Sequence, residues 1–256
     1  MVAQADCECV VVDYDCPDGT AAWVRANHPG VKLVEVSAAP HFNAGRARNL
    51  GAHVANGEWL AFIDADILLD RGFAHEVLRL TRRGHYLQAS PFTRETSGSF
   101  ICHRDDFAAA HGYDDVLEGY GGEDIDLYFR LERQGTTRGS FPAALLQPLS
   151  HDDRLRSRHH EVVNLELNRL INATYNHIKY DLMRETDGRL PTEEVRRTVY
   201  AEVRRALLDP RRGSEGPASI VVSLPARHLV RVPVGWTIRR QWTFLVEPQP
   251  EQPPGR

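Results

Sequence analysis

Short apolar runs alternate with amphipathic segments through the amino-terminal part of the chain. Runs rich in β-branched and aromatic residues predict strands at 9–14, 31–36 and 59–63. Apolar residues at helical spacing predict helices at 20–27, 44–55 and 73–82. This alternation is typical of an α/β fold with a mostly parallel sheet flanked by helices. Ligands bind such sheets beyond the carboxyl ends of the strands, which directs attention to the polar residues that follow 9–14 and 59–63.

The pattern changes in the second half of the chain. It predicts strands at 99–103 and 145–149, a helix at 123–134, and two amphipathic helices at 161–184 and 193–208. Three further apolar runs predict a small β extension, at 220–224, 229–232 and 242–246. The end of the chain, 248–256, is rich in Pro and Gln and is expected to be disordered. We therefore predict an α/β domain over 1–184 and a helical and β extension over 185–256.

Composition excludes several classes of protein. The 256 residues are 42% hydrophobic and 26% charged, which is typical of a soluble globular chain. The formal net charge of −4 is too small to favour nucleic acid as a partner. No stretch approaches the ~20 apolar residues that a bilayer span requires, and the start of the sequence has no apolar signal core. The sequence therefore predicts a cytoplasmic protein without a transmembrane segment, and its oligomeric state stays open.

The four cysteines do not have the spacing of a metal site. Cys7, Cys9, Cys16 and Cys102 lack the second pair that a zinc knuckle needs. They are expected to be reduced thiols.

Asp64-Ala65-Asp66 follows the strand predicted at 59–63. Side-chain alternation would send both carboxylates the same way, and paired carboxylates suit a hard divalent cation that also binds a diphosphate. The alternative is a polar turn after a strand, where Asp is common in any case. The triplet alone does not decide between these two interpretations.

A second acidic cluster lies at 121–126, where two glycines precede Glu123, Asp124 and Asp126. The glycines allow close approach of a ligand to the backbone. The positive end of the following helix favours ionised carboxylates, which suits a general base. Simple capping of the helix by acidic residues would produce the same pattern.

Two further segments carry polar groups suited to metal or phosphate. His151 follows a predicted strand, where an imidazole would complete a metal site begun by a carboxylate. Its neighbours Asp152, Asp153, His159 and His160 are mostly expected to be a solvated loop.

The segment 43–49 lies at the start of a predicted helix and contains two arginines. Its free backbone N–H groups and arginines would bind an anion, or the segment is the ordinary start of an amphipathic helix.

The order of these motifs is more specific than any one of them. The run from Val10 through His151 resembles the GT-A fold glycosyltransferases, specifically family 2 and the neighbouring galactosyltransferase carboxyl-terminal type. The matching motifs are an Asp-rich turn at 11–20, Ala-Arg-Asn-x-Gly at 47–51, a strand ending in Asp-x-Asp at 57–66, Gly-Gly-Glu-Asp-x-Asp-Leu at 121–127, and a histidine at 151. The resemblance covers about two-thirds of the chain. It departs from the family before Val10, where the first strand–helix unit of the fold is expected to be missing.

The resemblance implies a metal site and a catalytic pair. Asp66 and His151 would ligate Mn²⁺ or Mg²⁺. Asp124 would be the catalytic base, and Glu123 would help to bind the acceptor, a carbohydrate or other hydroxyl compound. One base opposite a leaving diphosphate predicts inversion at the anomeric carbon.

The same resemblance implies a site for a nucleotide sugar, expected to be a UDP-sugar. Asp13 would contact the base and Asp64 the ribose or the metal shell, with Tyr14, Arg48 and Ala65 as further donor contacts. The Tyr14 ring would either stack on the base or pack within the protein.

Two other functions remain possible at this stage. A sugar nucleotidyltransferase also pairs such a sheet with acidic metal ligands, but it usually begins with a Gly-rich basic loop that this sequence lacks. A truncated, non-catalytic relative that binds carbohydrate or a partner protein is the other alternative, and the missing first strand–helix unit favours it.

Overall fold

The computed structural model describes residues 7–149, 159–212, 216–225 and 239–248. The chain divides into two compact units, Met1–Leu165 and Glu166–Arg256. The strands are β1 (Val10–Tyr14), β2 (Lys32–Val36), β3 (Trp59–Phe62), β4 (Ile67–Leu69), β5 (His85–Ser90), β6 (Phe100–His103), β7 (Thr137–Pro142), β8 (Leu146–Pro148), β9 (Ala218–Pro225) and β10 (Arg239–Val246). The helices are α1 (Thr20–Asn27), α2 (Ala44–Val54), α3 (Phe73–Leu80), α4 (Arg104–Ala109), α5 (Glu123–Arg133), α6 (Leu165–Arg184) and α7 (Glu193–Leu207).

The first unit confirms the α/β class but has a mixed sheet. Its four-stranded sheet has the order β3-β6-β5-β7. Only β5 and β7 are parallel in it, because β6 runs antiparallel to both of its neighbours. The expectation of a mostly parallel sheet was therefore wrong for this sheet. The physical reason is that β6 follows β5 through a short turn rather than a helical crossover, and a short link joins only antiparallel strands.

Two small strand pairs accompany this sheet. β1 and β2 pair in parallel through the connecting helix α1. Helix α2 lies against β1, where a Cβ at Gly51 would be 3.3 Å from a methyl of Val12. β4 pairs antiparallel with β8, matching Ile67 with Pro148 and Leu69 with Leu146.

Side-chain alternation in β5 and β6 builds a core on each face of the sheet. Tyr86 and Phe100 belong to one buried cluster, which also contains Leu127 of α5. Leu87 and Ile101, the next residues along the same strands, belong to the other cluster with Phe73 of α3. Neighbouring residues of a strand point to opposite faces, so each strand contributes to both cores. Helices α3 and α5 thus cover opposite faces of the sheet.

The second unit contains α6, α7 and an antiparallel hairpin of β9 and β10. Ile220 and Val222 of β9 are fully buried. The strand predicted at 229–232 lies outside the described residues. The domain boundary predicted between 184 and 185 stays a prediction.

Among the described helices, none is both long enough and apolar enough to cross a membrane. The cysteines are free, with Cys102 buried on β6 and Cys7 exposed.

Candidate active site

Arg48 of α2 lies at the centre of a cluster of carboxylates. Its Nη2 donates to Asp64 Oδ1 at 2.7 Å, and its Nη1 contacts Glu123 Oε1 at 3.3 Å and Asp124 Oδ1 at 3.2 Å. The four side chains keep only 15–27% of their surface exposed. The structure therefore brings together residues from three of the predicted motifs, 47–51, 57–66 and 121–127.

Helix α2 is fixed at its first turn by Asn43. The Asn43 side chain accepts from Arg46 N at 2.8 Å, which satisfies one free N–H of the helix. Its amide also donates to the carbonyls of Asp115 and Leu117, at 2.9 and 3.2 Å. The helix that carries Arg48 is thus tied to the loop that precedes the Gly-rich segment.

Glu123 and Asp124 begin α5 because the glycines before them turn the chain. Gly121 and Gly122 have φ of 83° and 94°, a conformation that favours glycine. Further along the helix, Asp126 accepts from Arg130 in a buried ion pair at 2.7 Å. The start of α5 therefore presents its first two acids to Arg48 while Asp126 points into the protein.

The pKa of Asp124 is raised from its usual range to about 7, and burial is the largest cause. The neighbouring charges of Glu123 and Asp64 contribute to this rise, whereas Arg48 and a hydrogen bond from Tyr113 oppose it. A carboxyl with this pKa exchanges protons near neutral pH, as a general base must. Strongly shifted groups of this kind are common at functional sites.

Asp13 and Tyr14 lie at the end of β1. The Asp13 carboxylate accepts from the backbone N–H groups of Cys16 and Ala21, at 2.8 and 2.7 Å, and so shapes the turn into α1. The Tyr14 ring packs edge-on against Phe42 at 5.7 Å. These contacts show how the two side chains are held, and their predicted donor contacts stay predictions.

His159 and His160 contact Phe42, which packs against Tyr14 at the end of β1. Phe42 N donates to the carbonyl of His159 at 3.0 Å, and the Phe42 and His160 rings lie 6.0 Å apart. His160 is buried rather than part of a solvated loop. The aromatic role of Phe42 was not predicted, since an isolated Phe in a polar loop gives no periodic signal.

Of the two predicted metal ligands, only Asp66 belongs to the described residues. No group of three or more His, Cys, Asp or Glu side chains in the described part of the chain is arranged to hold a metal. His151 lies outside the described residues. Leu149 N, however, donates to the carbonyl of Asp66 at 2.7 Å, because β4 and β8 pair directly after Asp64-Ala65-Asp66. The structure thus places the chain just before His151 against Asp66.

Gly98 lies against this cluster and was not predicted. A Cβ at this position would lie 2.5 Å from Asp64 Oδ2 and 2.8 Å from Arg48 Nη2. The turn that carries it is held by Tyr128, whose hydroxyl donates to the Ser97 carbonyl at 2.8 Å. Only a residue without a side chain fits here unless the ion pair of Arg48 and Asp64 moves.

We expect Gly98→Ala to disturb the carboxylate cluster with little effect elsewhere. The added methyl must displace Asp64 or Arg48, and overpacking of this kind costs about 1–3 kcal/mol. A displacement near 1 Å at a reacting centre costs about 10²-fold in rate. Urea unfolding measures the first effect, and turnover at this site measures the second. Gly30→Ala is the control, because a Cβ at Gly30 meets no atom within 4 Å. Equal behaviour of the two variants would contradict the close approach at Gly98.

Comparisons with known proteins bear on what this site does. The profile of glycosyl transferase family 2 matches residues 2–134. Among curated proteins no match was found.

Several solved structures are similar to this chain at low identity. The catalytic domain of Drosophila beta1,4galactosyltransferase 7, in complex with xylobiose, is 14% identical over 60% of this chain and 75% of its own, with a TM-score of 0.43. The mannosyltransferase PcManGT from Pyrobaculum calidifontis, in complex with GDP-Man and Mn²⁺, is 19% identical over 74% of this chain and 59% of its own, with a TM-score of 0.49. Residues 1–349 of S. aureus TarS are 13% identical over 79% of this chain and 74% of their own, with a TM-score of 0.48.

The family profile covers more than half of the chain and includes most of the motifs quoted above, from the turn after β1 to the first turns of α5. The resemblance drawn from the order of those motifs is therefore confirmed. The chain belongs to glycosyl transferase family 2.

Proposed function

We propose that this protein is a metal-dependent, inverting glycosyltransferase that moves a sugar from a nucleoside diphosphate sugar, a UDP-sugar, to an acceptor hydroxyl. The observation that carries the proposal is the convergence of Asp64, Glu123 and Asp124 on Arg48, close to the carboxyl end of β3. A nucleotidyltransferase has no need of a base at this place.

Asp124 is the proposed catalytic base. When the acceptor oxygen bonds to the anomeric carbon, the bond from that carbon to the diphosphate oxygen breaks, and the hydroxyl proton passes to the Asp124 carboxylate. The pKa of about 7 matches this task, since the group is largely ionised just above neutral pH and still binds a proton well. Attack from the side opposite the leaving group inverts the configuration. Glu123, the residue before Asp124 on α5, is the proposed group that helps to bind the acceptor.

Asp66 and His151 are the proposed protein ligands of Mn²⁺ or Mg²⁺. Leu149 is held against Asp66, and two further residues of chain reach at most about 7 Å. This short separation in the chain supports the proposal that Asp66 and His151 share one ion. A carboxylate and an imidazole together suit manganese well. A bound divalent ion would supply charge neutralisation for the departing diphosphate.

The charge of the site also fits a cation. With three carboxylates ionised around one guanidinium, the cluster carries two more negative charges than positive ones. Such a cluster repels a bare diphosphate. Binding of the donor therefore requires a positive charge in addition to Arg48, and Asp13, Tyr14, Asp64 and Ala65 remain the proposed donor contacts around it.

We expect the purified protein to hydrolyse one nucleotide sugar slowly when no acceptor is present. A panel of UDP- and GDP-sugars is incubated with Mn²⁺ or with a chelator, and release of the nucleoside diphosphate is measured. Asp66→Ala is expected to lower metal-dependent release at least ~10²-fold, because one of two protein ligands is lost. Asp70→Asn is the matched control, since Asn keeps the acceptor atom that Gly72 N uses at this neighbouring position.

The outcomes separate the proposed function from its alternative. If release of the nucleoside diphosphate depends on Mn²⁺ and is lost in Asp66→Ala, the result supports the transferase. The donor that is hydrolysed then identifies the sugar. Absence of both hydrolysis and metal-dependent nucleotide binding, measured by calorimetry, would favour a non-catalytic relative that binds carbohydrate or a partner protein. An NMR time course that shows retained anomeric configuration would exclude the inverting mechanism.

A further inference from the structure

Tyr113 connects the aromatic core to the carboxylate cluster. It is 2% exposed, and its ring lies 5.6 Å from Phe62 and 6.0 Å from Phe107. Its hydroxyl donates to Asp124 Oδ1 at 3.1 Å. The guanidinium of Arg48 lies over the same ring, 5.1 Å from its centre. One side chain therefore contacts both the proposed base and the cation beside it.

The backbone of Tyr113 is fixed by two helices. Its N–H donates to the Asn49 side chain at 2.8 Å, and its carbonyl accepts from the same side chain at 2.9 Å. Gly112 has a φ of 62°, and its carbonyl accepts from Arg130 of α5 at 2.6 Å. The turn is thus tied to α2 through Asn49 and to α5 through Arg130. Since α5 also carries Asp124, the hydroxyl and the carboxylate are held in a fixed relation.

The hydrogen bonds leave the two oxygens of Asp124 unequal. The contacts from Tyr113 and Arg48 both fall on Oδ1, and Oδ2 receives neither. A carboxylate that is free to rotate would present either oxygen in many directions. A carboxylate held through Oδ1 presents Oδ2 in one direction, and such preorganisation lowers the cost of reaching the reactive geometry.

We propose that Tyr113 is a positioning residue, which holds the Asp124 carboxylate through Oδ1 so that Oδ2 faces the acceptor hydroxyl. The inference rests on the proposed function in taking Asp124 as the base. Tyr113 itself stays a donor throughout, because burial keeps the pKa of its phenol well above the ordinary value.

Several charged and titratable groups around Asp124 influence its pKa together with the Tyr113 hydroxyl. Arg48 faces it from α2, Asp64 from the turn after β3, and Glu123 and Tyr128 from α5 itself. Burial, Glu123 and Asp64 favour the protonated carboxyl, whereas Arg48 and the Tyr113 hydroxyl favour the ionised one. Removal of the hydroxyl alone therefore makes Asp124 harder to ionise.

Tyr113→Phe tests the role, because it removes one oxygen and keeps the ring against Arg48 and the core. We expect the titration of the Asp124 carboxyl to move upward by about one pH unit, followed by carboxyl ¹³C NMR in protein labelled at aspartate. The Asp124 signal is identified by its loss in Asp124→Asn. The acid limb of the rate profile for donor hydrolysis should move in the same direction. At pH 7 we expect kcat to be about fivefold lower, because the ionised fraction of Asp124 falls from about one-half to about one-tenth, and we expect the KM of the donor to be unchanged.

Tyr86→Phe is the matched control. Tyr86 is as buried as Tyr113, and its hydroxyl donates to Glu132 at 2.6 Å rather than to Asp124. Its removal should cost stability without moving the Asp124 titration or the rate profile.

An unchanged Asp124 titration in Tyr113→Phe, or an equal change in Tyr86→Phe, would overturn the positioning role. The titration requires no turnover, so it decides the role of the hydroxyl even if the wild-type protein hydrolyses no donor. Absence of both hydrolysis and metal-dependent nucleotide binding would count against the proposed function instead, and the titration would remain a separate test of Tyr113. A KM increase with unchanged kcat and titration would assign Tyr113 to donor binding and would likewise overturn the inference.

Discussion

Replacement of Asp124 by Asn is expected to remove turnover and, at pH 8, to stabilise the fold. Loss of a positioned general base costs about 10²–10⁴-fold in rate. Asn keeps the shape of the side chain and an oxygen at the Oδ1 position, so the contacts with Arg48 and Tyr113 can persist. Donor binding should therefore change little. Single-turnover transfer and nucleotide binding by calorimetry distinguish the two effects.

The stabilisation follows from the direction in which the pKa of Asp124 is shifted. The folded state raises this pKa from 3.8 to about 7, chiefly by burial, so the folded state binds the proton more tightly than the unfolded chain does. The favourable contribution of Asp124 is complete below pH 3.8 and is lost as the pH rises through about 7. Asn cannot ionise and avoids this loss. We expect a thermal midpoint roughly 2–4 °C higher at pH 8, with the gain shrinking toward pH 4.

A suitable control is Asp105→Asn, which changes an acid in the first turn of α4. Its carboxylate pairs with Arg83 at 3.0 Å and is 66% exposed. Exposed pairs of this kind contribute little, so no rise in stability is expected at pH 8. A destabilised Asp124→Asn protein at pH 8 would show that the ionised carboxylate stabilises the cluster, which would contradict the assigned shift. Full activity in Asp124→Asn would exclude it as the base.

Local sequence pattern draws attention to Asp64, Glu123 and Asp124 but does not predict the contacts that join them. Asp64, Glu123 and Asp124 were identified because each follows a strand or begins a helix, and these positions are set by local pattern. Their common contact with Arg48 depends on how α2, β3 and α5 pack, and it joins positions up to 76 residues apart. An arginine at a helix start gives no signal that distinguishes an anion site from an ion-pair centre.

The strand order could not be read from the pattern for a related reason. Alternation of strands and helices predicts crossovers, but β6 follows β5 through a turn in which Thr93 caps a short 3-10 helix, Arg94–Thr96. That turn makes β6 antiparallel and carries Gly98 to Asp64. A signal for its importance did exist, since a glycine between two serines predicts a turn. The sequence does not show, however, that Gly98 approaches Asp64, because that contact depends on tertiary packing.

Tyr113 had a weaker signal still. The sequence Gly112-Tyr113-Asp114 predicts a turn with an aromatic residue, which in most proteins serves only the core. Here the ring does serve the core, and the hydroxyl serves the site. The hydrophobic pattern predicts that the Tyr113 ring is buried, but it carries no information about the hydrogen bond of the hydroxyl with Asp124.

Loss of Arg48 is expected to have the largest effect on stability among the site residues. Arg48→Ala leaves Asp64, Glu123 and Asp124 facing each other without the cation that now contacts all three. Breaking a fully buried ion pair costs about 3–5 kcal/mol. Because each of these side chains keeps part of its surface exposed, we expect about 2 kcal/mol at pH 8, measured by urea unfolding. The pKa of Asp124 rises further without Arg48, so donor turnover at pH 7 should fall and partly recover at pH 9.

The pH dependence of this loss distinguishes electrostatics from packing. Protonation relieves repulsion among the three carboxylates, so the destabilisation by Arg48→Ala should be smaller at pH 5 than at pH 8. Arg48→Lys keeps the charge but lacks the planar fork that reaches several carboxylates, and it should recover only part of the stability. Arg46→Ala, an exposed change in the same helix, should have little effect. An equal loss for Arg48→Ala at both pH values would mean that the guanidinium stabilises the site mainly by packing on the Tyr113 ring rather than through its charge.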